Sequence, residues 1–204
     1  MDTQNKKQEF LSESTRYRGP NRIVLLVFVL AAVVLVGAVY AATRSEEVPR
    51  RWQGGSYNVG YQPNYKGKVI SMTDIPSRSD SGVISFSLEE VKKNSIVYTD
   101  IPGAGPVDAL VAYISPAGRL VVGVAMCEPC RSQRFHIDDN ILVCDTCGTR
   151  WYLNDLQGIS GGCPQYPPEE LPYEVEDGGV KVQTSLLKDW SPRAEVGTQV
   201  SGRN

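Results

Sequence analysis

The sequence predicts a mainly β domain that follows a single membrane-spanning helix. Three observations lead to this prediction: an uncharged apolar segment at residues 23–42, a series of short β-like runs after residue 69, and two Cys-x-x-Cys pairs at the ends of such runs. About 160 of the 204 residues follow the apolar segment. That length is enough for one domain with a hydrophobic core or for two small ones.

Residues 23–42 form an unbroken apolar segment of twenty residues without a charge. As an α-helix this segment would be about 30 Å long, which matches the hydrocarbon core of a bilayer. A cleaved signal peptide is the alternative, because Val39-Tyr40-Ala41 has the small residues of a cleavage site. Signal peptides usually carry a shorter apolar core, of about 7–15 residues, and a shorter leader. We therefore expect a retained transmembrane helix over 23–42.

The charges that flank this helix predict its orientation. The N-terminal polar tail, residues 1–22, carries five basic residues, whereas the other flank carries Arg44, Arg50 and Arg51. An excess of basic residues marks the cytoplasmic side. We therefore expect a single-pass protein of the cell membrane with a cytoplasmic N-terminus and an extracytoplasmic C-terminal domain. Residues 43–204 hold 16 basic and 20 acidic residues, a net charge of −4, so nucleic acid is not an expected partner.

The chain after the helix divides into three predicted parts. Residues 43–68 contain glycines and aromatic residues without a periodic pattern, which is typical of a linker. Residues 69–190 predict a β-rich metal-binding domain with its motif core at 120–182, and residues 191–204 predict a flexible tail. Residues 88–94 predict one or two helical turns. The expected strands are 83–87, 95–99, 109–114, 120–126, 135–137, 141–143, 150–153, 173–175 and 180–182.

Two Cys-x-x-Cys pairs are the most informative feature of this domain. Cys127 and Cys130 form the first pair, Cys144 and Cys147 form the second, and thirteen residues separate the pairs. Two such turns that face each other complete a tetrahedral site of four sulfurs, which suits zinc or iron–sulfur chemistry. The intervening residues predict a hairpin that sets the two loops side by side. A fifth cysteine, Cys163, follows in a Gly-Gly-Cys-Pro segment.

The cysteines alone leave several interpretations open. Two disulfides and a free thiol would be possible in an oxidising exterior. A structural zinc ribbon needs four thiolates and would leave Cys163 idle. An iron–sulfur or mononuclear iron centre could use Cys163 as a ligand or as a neighbouring thiol that tunes the potential. A thioredoxin-like redox disulfide is disfavoured because the expected βαβ pattern is missing from the sequence.

The second cysteine pair and the chain after it resemble the second half of a Rieske domain. Rieske proteins place a Cys-x-x-His-Gly loop, an aromatic residue, a Gly/Pro loop and a closing hairpin in that order. Residues 144–148 read Cys-Asp-Thr-Cys-Gly, and they precede Trp151, a Gly-Gly turn and a hairpin at 173–182. Cys147 stands where that loop has its histidine, and Pro129 takes the histidine position of the first loop. The loops are therefore more similar to rubredoxin or zinc-ribbon knuckles.

All five cysteines also fall on the pattern of the FtrD-like family of membrane iron–sulfur proteins, which this chain resembles over roughly residues 80–184. That family is similar in having a membrane segment, a Cys-x-x-Cys, a short hairpin, a second Cys-x-x-Cys-Gly, and a Gly-Gly-Cys with proline before a final hairpin. The resemblance implies a membrane-anchored redox centre, associated in some members with iron-uptake permease systems. Because this chain has one predicted span, a permease role would need a partner.

Three residues near the motif are expected to have other roles. His136 is the only histidine of the chain and lies between the cysteine pairs. A neutral imidazole can ligate iron or zinc, but its strand-like setting favours an ordinary structural histidine. The adjacent acids Glu169 and Glu170 have no visible partner for acid–base catalysis, and we expect them to be solvated.

Together these patterns predict a membrane-anchored electron-transfer protein with a cysteine-ligated centre. The expected cofactor is an iron–sulfur cluster or iron, with zinc as the alternative, and the expected ligands are Cys127, Cys130, Cys144, Cys147 and Cys163. The expected partner is a membrane redox protein or a metal permease. An electron carrier or metal-binding protein is favoured over a catalyst, because the sequence shows neither a phosphate loop nor a Ser-His-Asp set. The alternatives are a zinc-ribbon interaction module at the membrane and a protein that handles metal ions.

Overall fold

The computed structural model describes residues 21–43, 48–101, 103 and 106–193. The chain divides into two compact units, Met1–Ser45 and Glu46–Asn204. The first unit contains helix α1, Arg22–Thr43, in which Arg22–Tyr40 has a mean hydropathy of 3.1. By length and composition α1 is a candidate membrane span, and its apolar side chains are exposed on all sides of the helix. A helix that is apolar all round is typical of a membrane span.

The second unit is built from three β-sheets, which confirms the predicted mainly β class. Helix α2, Leu88–Asn94, lies in this unit, and a 3₁₀ turn at Thr184–Leu186 follows the last strand. The sheet orders are β1-β8-β9-β10-β11, β12-β13-β4-β3 and β2-β5-β6-β7. The strands are β1 Val69–Ser71, β2 Thr73–Asp74, β3 Arg78–Asp80, β4 Val83–Ser87, β5 Ile96–Asp100, β6 Ala109–Ile114, β7 Leu120–Val124, β8 Phe135–Asp138, β9 Ile141–Cys144, β10 Arg150–Tyr152, β11 Gly158–Ser160, β12 Glu174–Glu176 and β13 Gly179–Gln183.

The sheet that contains β5, β6 and β7 is the central layer of the unit. Strands β6 and β7 are buried along their whole length, so they read as continuous apolar runs rather than as alternating ones. Successive side chains of a strand point to opposite faces. Leu110 packs into one core with Ile84 and Val180 of the β12-β13-β4-β3 sheet, whereas Val111 packs into a second core with Leu142 of the sheet that carries the second cysteine pair.

Helix α2 begins at a capping motif that the sequence encodes locally. Ser87 is the N-cap, and its side-chain oxygen accepts a hydrogen bond from the backbone N–H of Glu90 at 3.3 Å. Acidic residues occupy the first turn and Lys92 and Lys93 the last one, which complements the helix dipole. The side chains of Leu88 and Val91 are buried against the first core. This short helix connects the sheet of β4 to the central sheet.

Parts of the predicted linker and the predicted tail pack on the β-rich unit. Val48 and Tyr65 are buried in the second core, and the Tyr65 hydroxyl donates to the backbone oxygen of Ile114 at 2.8 Å. At the other end, Arg193 is buried. These three side chains are therefore buried within the β-rich unit. The domain limits given above remain a prediction.

The expectation that Glu169 and Glu170 are solvated is wrong. Their side chains are 0% and 5% exposed. The Glu169 carboxylate accepts hydrogen bonds from the backbone N–H of Arg51 at 3.1 Å and from the indole N–H of Trp190 at 2.9 Å. Arg119 donates to Glu170 at 2.6 Å. The sequence could not reveal these partners, because they are 21 or more positions away and meet the two acids only in the folded chain.

Candidate metal centre

The first cysteine pair lies on a tight turn that follows strand β7. The backbone N–H of Arg131 donates to the carbonyl of Cys127 at 2.8 Å, and the N–H of Cys127 donates to the carbonyl of Ser132 at 2.8 Å. Arg131 adopts a left-handed conformation with φ 60°. This backbone pattern turns the chain sharply between the two cysteines, so both sulfurs lie on the same side of the loop.

The second cysteine pair lies on a turn of the same design. The N–H of Gly148 donates to the carbonyl of Cys144 at 2.9 Å, and the N–H of Cys144 donates to the carbonyl of Thr149 at 2.9 Å. Gly148 has φ 67°, a conformation that glycine adopts without the cost that a side chain adds. Strand β8 pairs Phe135 with Cys144. The β8–β9 hairpin therefore sets the two knuckles side by side, as the spacing of the cysteines predicts.

The sulfurs of the two knuckles interleave. The four Sγ atoms of Cys127, Cys130, Cys144 and Cys147, the four-cysteine group, all lie within 4.8 Å of one another. The distance is 3.8 Å between the sulfurs of Cys127 and Cys147 and 3.6 Å between those of Cys130 and Cys144. All five cysteines of the chain are free thiols in this structure. The arrangement favours a shared ion over a pair of disulfides, whose sulfurs lie about 2.05 Å apart.

The sulfur separations fit a single ion in the four-cysteine group. A metal that binds four thiolates tetrahedrally at about 2.3 Å places the sulfurs about 3.8 Å apart, close to the 3.6 and 3.8 Å observed. A cluster with two or four irons distributes the thiolates over different metal atoms and spreads them further apart. Four soft thiolate donors suit iron or zinc and do not suit magnesium or calcium.

Each knuckle contributes one inner and one outer sulfur. Cys127 and Cys144 are buried, at 0% and 1% exposure, whereas Cys130 and Cys147 are half-buried. On the inner side Phe135 and Trp151 are fully buried and pack edge to face, with ring centroids 6.3 Å apart. These rings exclude water from the inner side, so the outer sulfurs are the part of the group nearest to solvent.

The proton affinities of the thiols follow from their crowding. The hydrogen bond from the Cys127 thiol, followed by the backbone N–H groups of Cys147 and Thr146, lowers the pKa of Cys144 to about 4. The same contact with Cys144 raises the pKa of Cys127, and burial raises the pKa of Cys130 to about 11. Cys127 and Cys130 therefore hold protons at neutral pH, and a metal ion must displace those protons when it binds.

Cys163 lies against the four-cysteine group without belonging to it. It is 7% exposed, and its sulfur lies near the sulfurs of Cys127 and Cys147 and the hydroxyl of Thr149. Burial and the neighbouring Cys147 raise the pKa of the Cys163 thiol. The four sulfurs that share the 4.8 Å separation do not include this one. Its service as a ligand stays a prediction, and the structure adds that it is close enough to be a neighbouring thiol.

A buried threonine connects Cys163 to the second knuckle. Thr149 is 0% exposed, its Oγ1 lies 3.1 Å from the sulfur of Cys147, and it accepts the backbone N–H of Cys163 at 3.2 Å. Gly161, with φ 110°, passes so close that an added Cβ would lie 2.6 Å from the Oγ1 of Thr149. The Gly-Gly-Cys segment can approach the knuckle closely because it begins with a glycine.

His136 is placed beside the second knuckle but outside the four-cysteine group. Its Nδ1 lies 2.6 Å from the Oδ1 of Asp145, the residue that follows Cys144. The side chains of His136 and Asp145 are 28% and 41% exposed. The contact ties strand β8 to the knuckle, which agrees with a structural role for this histidine.

Sequence reasoning missed a buried ion pair at the first knuckle. Glu128, between the first two cysteines, and Arg193 have side chains that are 2% and 6% exposed, and the Nε of Arg193 donates to Glu128 at 2.7 Å. Arg193 also donates to the backbone oxygen of Pro167 at 2.7 Å. Burial raises the pKa of Glu128, and the charge of Arg193 opposes that shift. The one sign of this ion pair in the sequence is the acidic residue Glu128 between two candidate metal ligands.

The whole cysteine motif lies in a region that matches a known protein family. The family described as "Membrane iron-sulfur containing protein FtrD-like" matches residues 91–193, which is half of the chain and includes all five cysteines. The chain belongs to the FtrD-like family. No curated protein sequence matches this FtrD-like chain. Membership in a membrane iron–sulfur family agrees with the candidate membrane helix α1 and with the four-cysteine group, and both support metal binding by a membrane protein.

Proposed function

We propose that this FtrD-like protein is a membrane-anchored electron carrier in which the four-cysteine group holds one iron ion. The observation that carries this proposal is the closeness of the four sulfurs: two pairs across the knuckles are 3.6 and 3.8 Å apart, and all four lie within 4.8 Å of one another, which fits one tetrahedral ion. Membership in a membrane iron–sulfur family favours iron over other thiophilic metals. When bound, such an iron gains or loses a single electron.

The protein residues supply the conditions for electron transfer. The four thiolates would offset the positive charge of the iron. The backbone N–H groups of Thr146 and Cys147 stabilise the negative charge of the Cys144 thiolate. Phe135 and Trp151 keep water from its inner side, and the half-buried sulfurs of Cys130 and Cys147 bring it close to the surface. Electron exchange needs only a shielded centre near the surface, so this function does not require a substrate pocket.

The membrane setting leads to the partner that we propose. Helix α1 would anchor the protein, with the N-terminus in the cytoplasm and the β-rich domain outside, as the five basic residues of the N-terminal tail favour. A membrane redox protein or a metal permease would then exchange electrons with the domain. Iron uptake is the process that the family resemblance suggests, because reduction changes the charge and the ligand preference of a transported iron ion.

A zinc-ribbon interaction module is the second candidate. The same sulfur spacing fits zinc equally well, and structural zinc sites are commonly formed by four cysteines. In that case the metal would contribute folding free energy, and the protein would unfold with a chelator. The two candidates share every ligand and differ in the ion.

Metal, sulfide and absorption analysis of one anaerobically purified sample of the full chain tests the proposal. We expect one iron per chain, no acid-labile sulfide and a visible band that bleaches on reduction. Stoichiometric zinc without colour would contradict the electron-carrier function and leave the ribbon. Iron with an equal amount of sulfide would show that a cluster replaces the single ion.

A further inference from the structure

The side-chain oxygen of Thr149 lies close to the backbone N–H of Cys163 and to the sulfurs of Cys147 and Cys163. Its Oγ1 is 3.2 Å from the backbone nitrogen of Cys163 and 3.1 Å from the sulfur of Cys147. The side chain is fully buried, so water is not an alternative partner. Among the described residues, every buried side-chain oxygen has a hydrogen-bond partner.

The chemistry of these partners fixes the position of the hydroxyl proton. A backbone N–H can only donate, so Oγ1 accepts from Cys163. A threonine hydroxyl has a single proton to donate, and the sulfurs of Cys147 and Cys163 both lie close to it. A metal-bound Cys147 sulfur carries no proton and is a stronger acceptor than a thiol, so with metal bound the hydroxyl donates an O–H···S hydrogen bond to Cys147.

The loop around Cys163 holds this hydroxyl in place. The N–H of Cys163 restricts its rotation, and Gly161 packs within van der Waals contact of Thr149. A hydrogen-bond donor that is held before the electron arrives does not have to reorganise when the charge changes. Thr149 thus presents a fixed donor to one of the two sulfurs that face the surface.

A fixed donor acts differently on the two oxidation states. Reduction adds one negative charge to the centre, and thiolate sulfurs carry part of it. Hydrogen bonds to a charged acceptor are stronger than those to a neutral one. Hydrogen bonding to the sulfurs is one of the ways in which proteins set the potential of such centres. The bond from Thr149 is therefore stronger in the reduced state.

We propose that Thr149 is a positioning residue that raises the reduction potential of the centre through its hydrogen bond to Cys147. This inference rests on the proposed electron-carrier function. Its effect is local to the outer sulfur of the second knuckle. Thr149 does not itself touch the ion, because the hydroxyl acts through the thiolate.

Reduction potentials of full-length Thr149→Val and Thr149→Ser proteins, each loaded with iron, test the proposal. Valine keeps the shape of threonine and removes the hydroxyl, whereas serine keeps the hydroxyl. We expect Thr149→Val to lower the equilibrium constant for reduction about tenfold, which is about 59 mV for one electron. Thr149→Ser should stay near the parent value. Thr149→Ala replaces the valine variant if that protein does not fold.

Thr99→Val is the matched control for loss of a buried hydroxyl. Thr99 is 1% exposed and donates to the backbone oxygen of Ile75 at 2.9 Å. Its removal should lower stability without moving the potential. A shift of equal size in Thr99→Val, or in Thr149→Ser, would overturn the proposal because general loosening would then explain the effect.

Cobalt-substituted full-length protein gives a readout that does not depend on iron. Loss of the hydrogen bond makes the Cys147 sulfur a stronger electron donor, so the sulfur-to-cobalt charge-transfer band of Thr149→Val should move to lower energy. An unchanged band together with an unchanged iron potential would overturn the role of Thr149 and leave the electron carrier intact. If the natively purified protein holds zinc and the cobalt band of Thr149→Val still shifts, the electron-carrier function is contradicted, whereas the hydrogen bond from Thr149 to Cys147 is supported.

Discussion

At the scale of single residues, position distinguishes the sulfurs of the four-cysteine group from the fifth sulfur, that of Cys163. Cys147 takes part in the four-cysteine group, lies 3.1 Å from the Oγ1 of Thr149 and is half-buried. Cys163 contacts the group from one side. The number of cysteines in the sequence does not distinguish a member of the four-cysteine group from a neighbouring thiol. The position of Cys163 depends on how its loop folds over the second knuckle.

Replacement of Cys147 by serine should weaken metal binding and lower the metal content of the purified protein. A serine hydroxyl replaces a soft thiolate with a hard and weakly acidic donor, and we expect metal affinity to fall at least tenfold. Cys163→Ser, which changes the sulfur outside the group of four, should retain one metal per chain. Metal analysis of both purified variants makes the comparison. Loss of metal in Cys163→Ser, with Cys147→Ser unaffected, would contradict the assignment.

Metal affinity should rise with pH. The pKa of Cys130 is raised to about 11 and that of Cys127 is also raised, so both groups are protonated thiols at neutral pH and become thiolates when metal binds. Each displaced proton weakens the apparent affinity about tenfold for every unit of pH decrease. Competition titrations with zinc at several pH values from about 6 to about 8 would measure this slope. An affinity independent of pH would contradict the protonated state of these thiols.

At the scale of elements, the first knuckle is held by the chain segment that ends the matched region. The Glu128–Arg193 pair is buried, so its two charges depend on each other. Removal of one partner from a buried pair costs much more than the pair itself contributes, because the remaining charge is left without compensation. This pair therefore connects metal-site integrity to the packing of residues near 193.

Glu128→Ala should destabilise the β-rich unit strongly. The buried guanidinium of Arg193 would lose its counter-charge, and we expect the free energy of unfolding to fall by about 3–5 kcal/mol. Thermal or denaturant unfolding of the metal-loaded full chain in detergent would measure it. Glu176→Ala, which breaks an exposed pair with Lys181, is the matched control and should change stability little. Equal effects of both variants would contradict the account.

The elements show which parts of the fold were accessible from sequence. The apolar runs of β6 and β7 and the alternating run of β4 were recognisable because each is several residues long and largely buried. Strands β3 and β11 escaped prediction, because they have three residues each and are exposed. A short exposed strand has no hydrophobic period, and only its neighbour in the sheet determines it.

The metal site, too, has features that the sequence predicts and features that it does not. The two Cys-x-x-Cys spacings were sufficient to predict knuckles that face each other across a hairpin. The buried state of Glu128, Glu169 and Glu170 was not predictable, because it depends on arginines from distant parts of the chain. Charged residues are rarely buried without a partner, and sequence patterns do not show long-range partners.

At the scale of the whole molecule, the chain carries both a candidate membrane span and a domain with a candidate metal site. Helix α1 has the length and composition to cross a bilayer, and the family is one of membrane proteins. The full chain should stay in the membrane fraction after alkaline extraction, and a variant without residues 1–45 should be released. Intact mass of the membrane-bound protein checks the alternative: loss of the residues before position 42 would show that a signal peptide is cleaved.

X-ray absorption at the iron edge of the anaerobically purified full chain tests directly whether the four-cysteine group holds a single iron ion. The spectrum reports both the ligands of the iron and any second metal nearby. The account predicts four sulfur neighbours at about 2.3 Å and no iron–iron scattering. An iron–iron distance would contradict a single ion in the four-cysteine group. The absence of an iron edge in a sample that contains stoichiometric zinc would contradict the electron carrier itself.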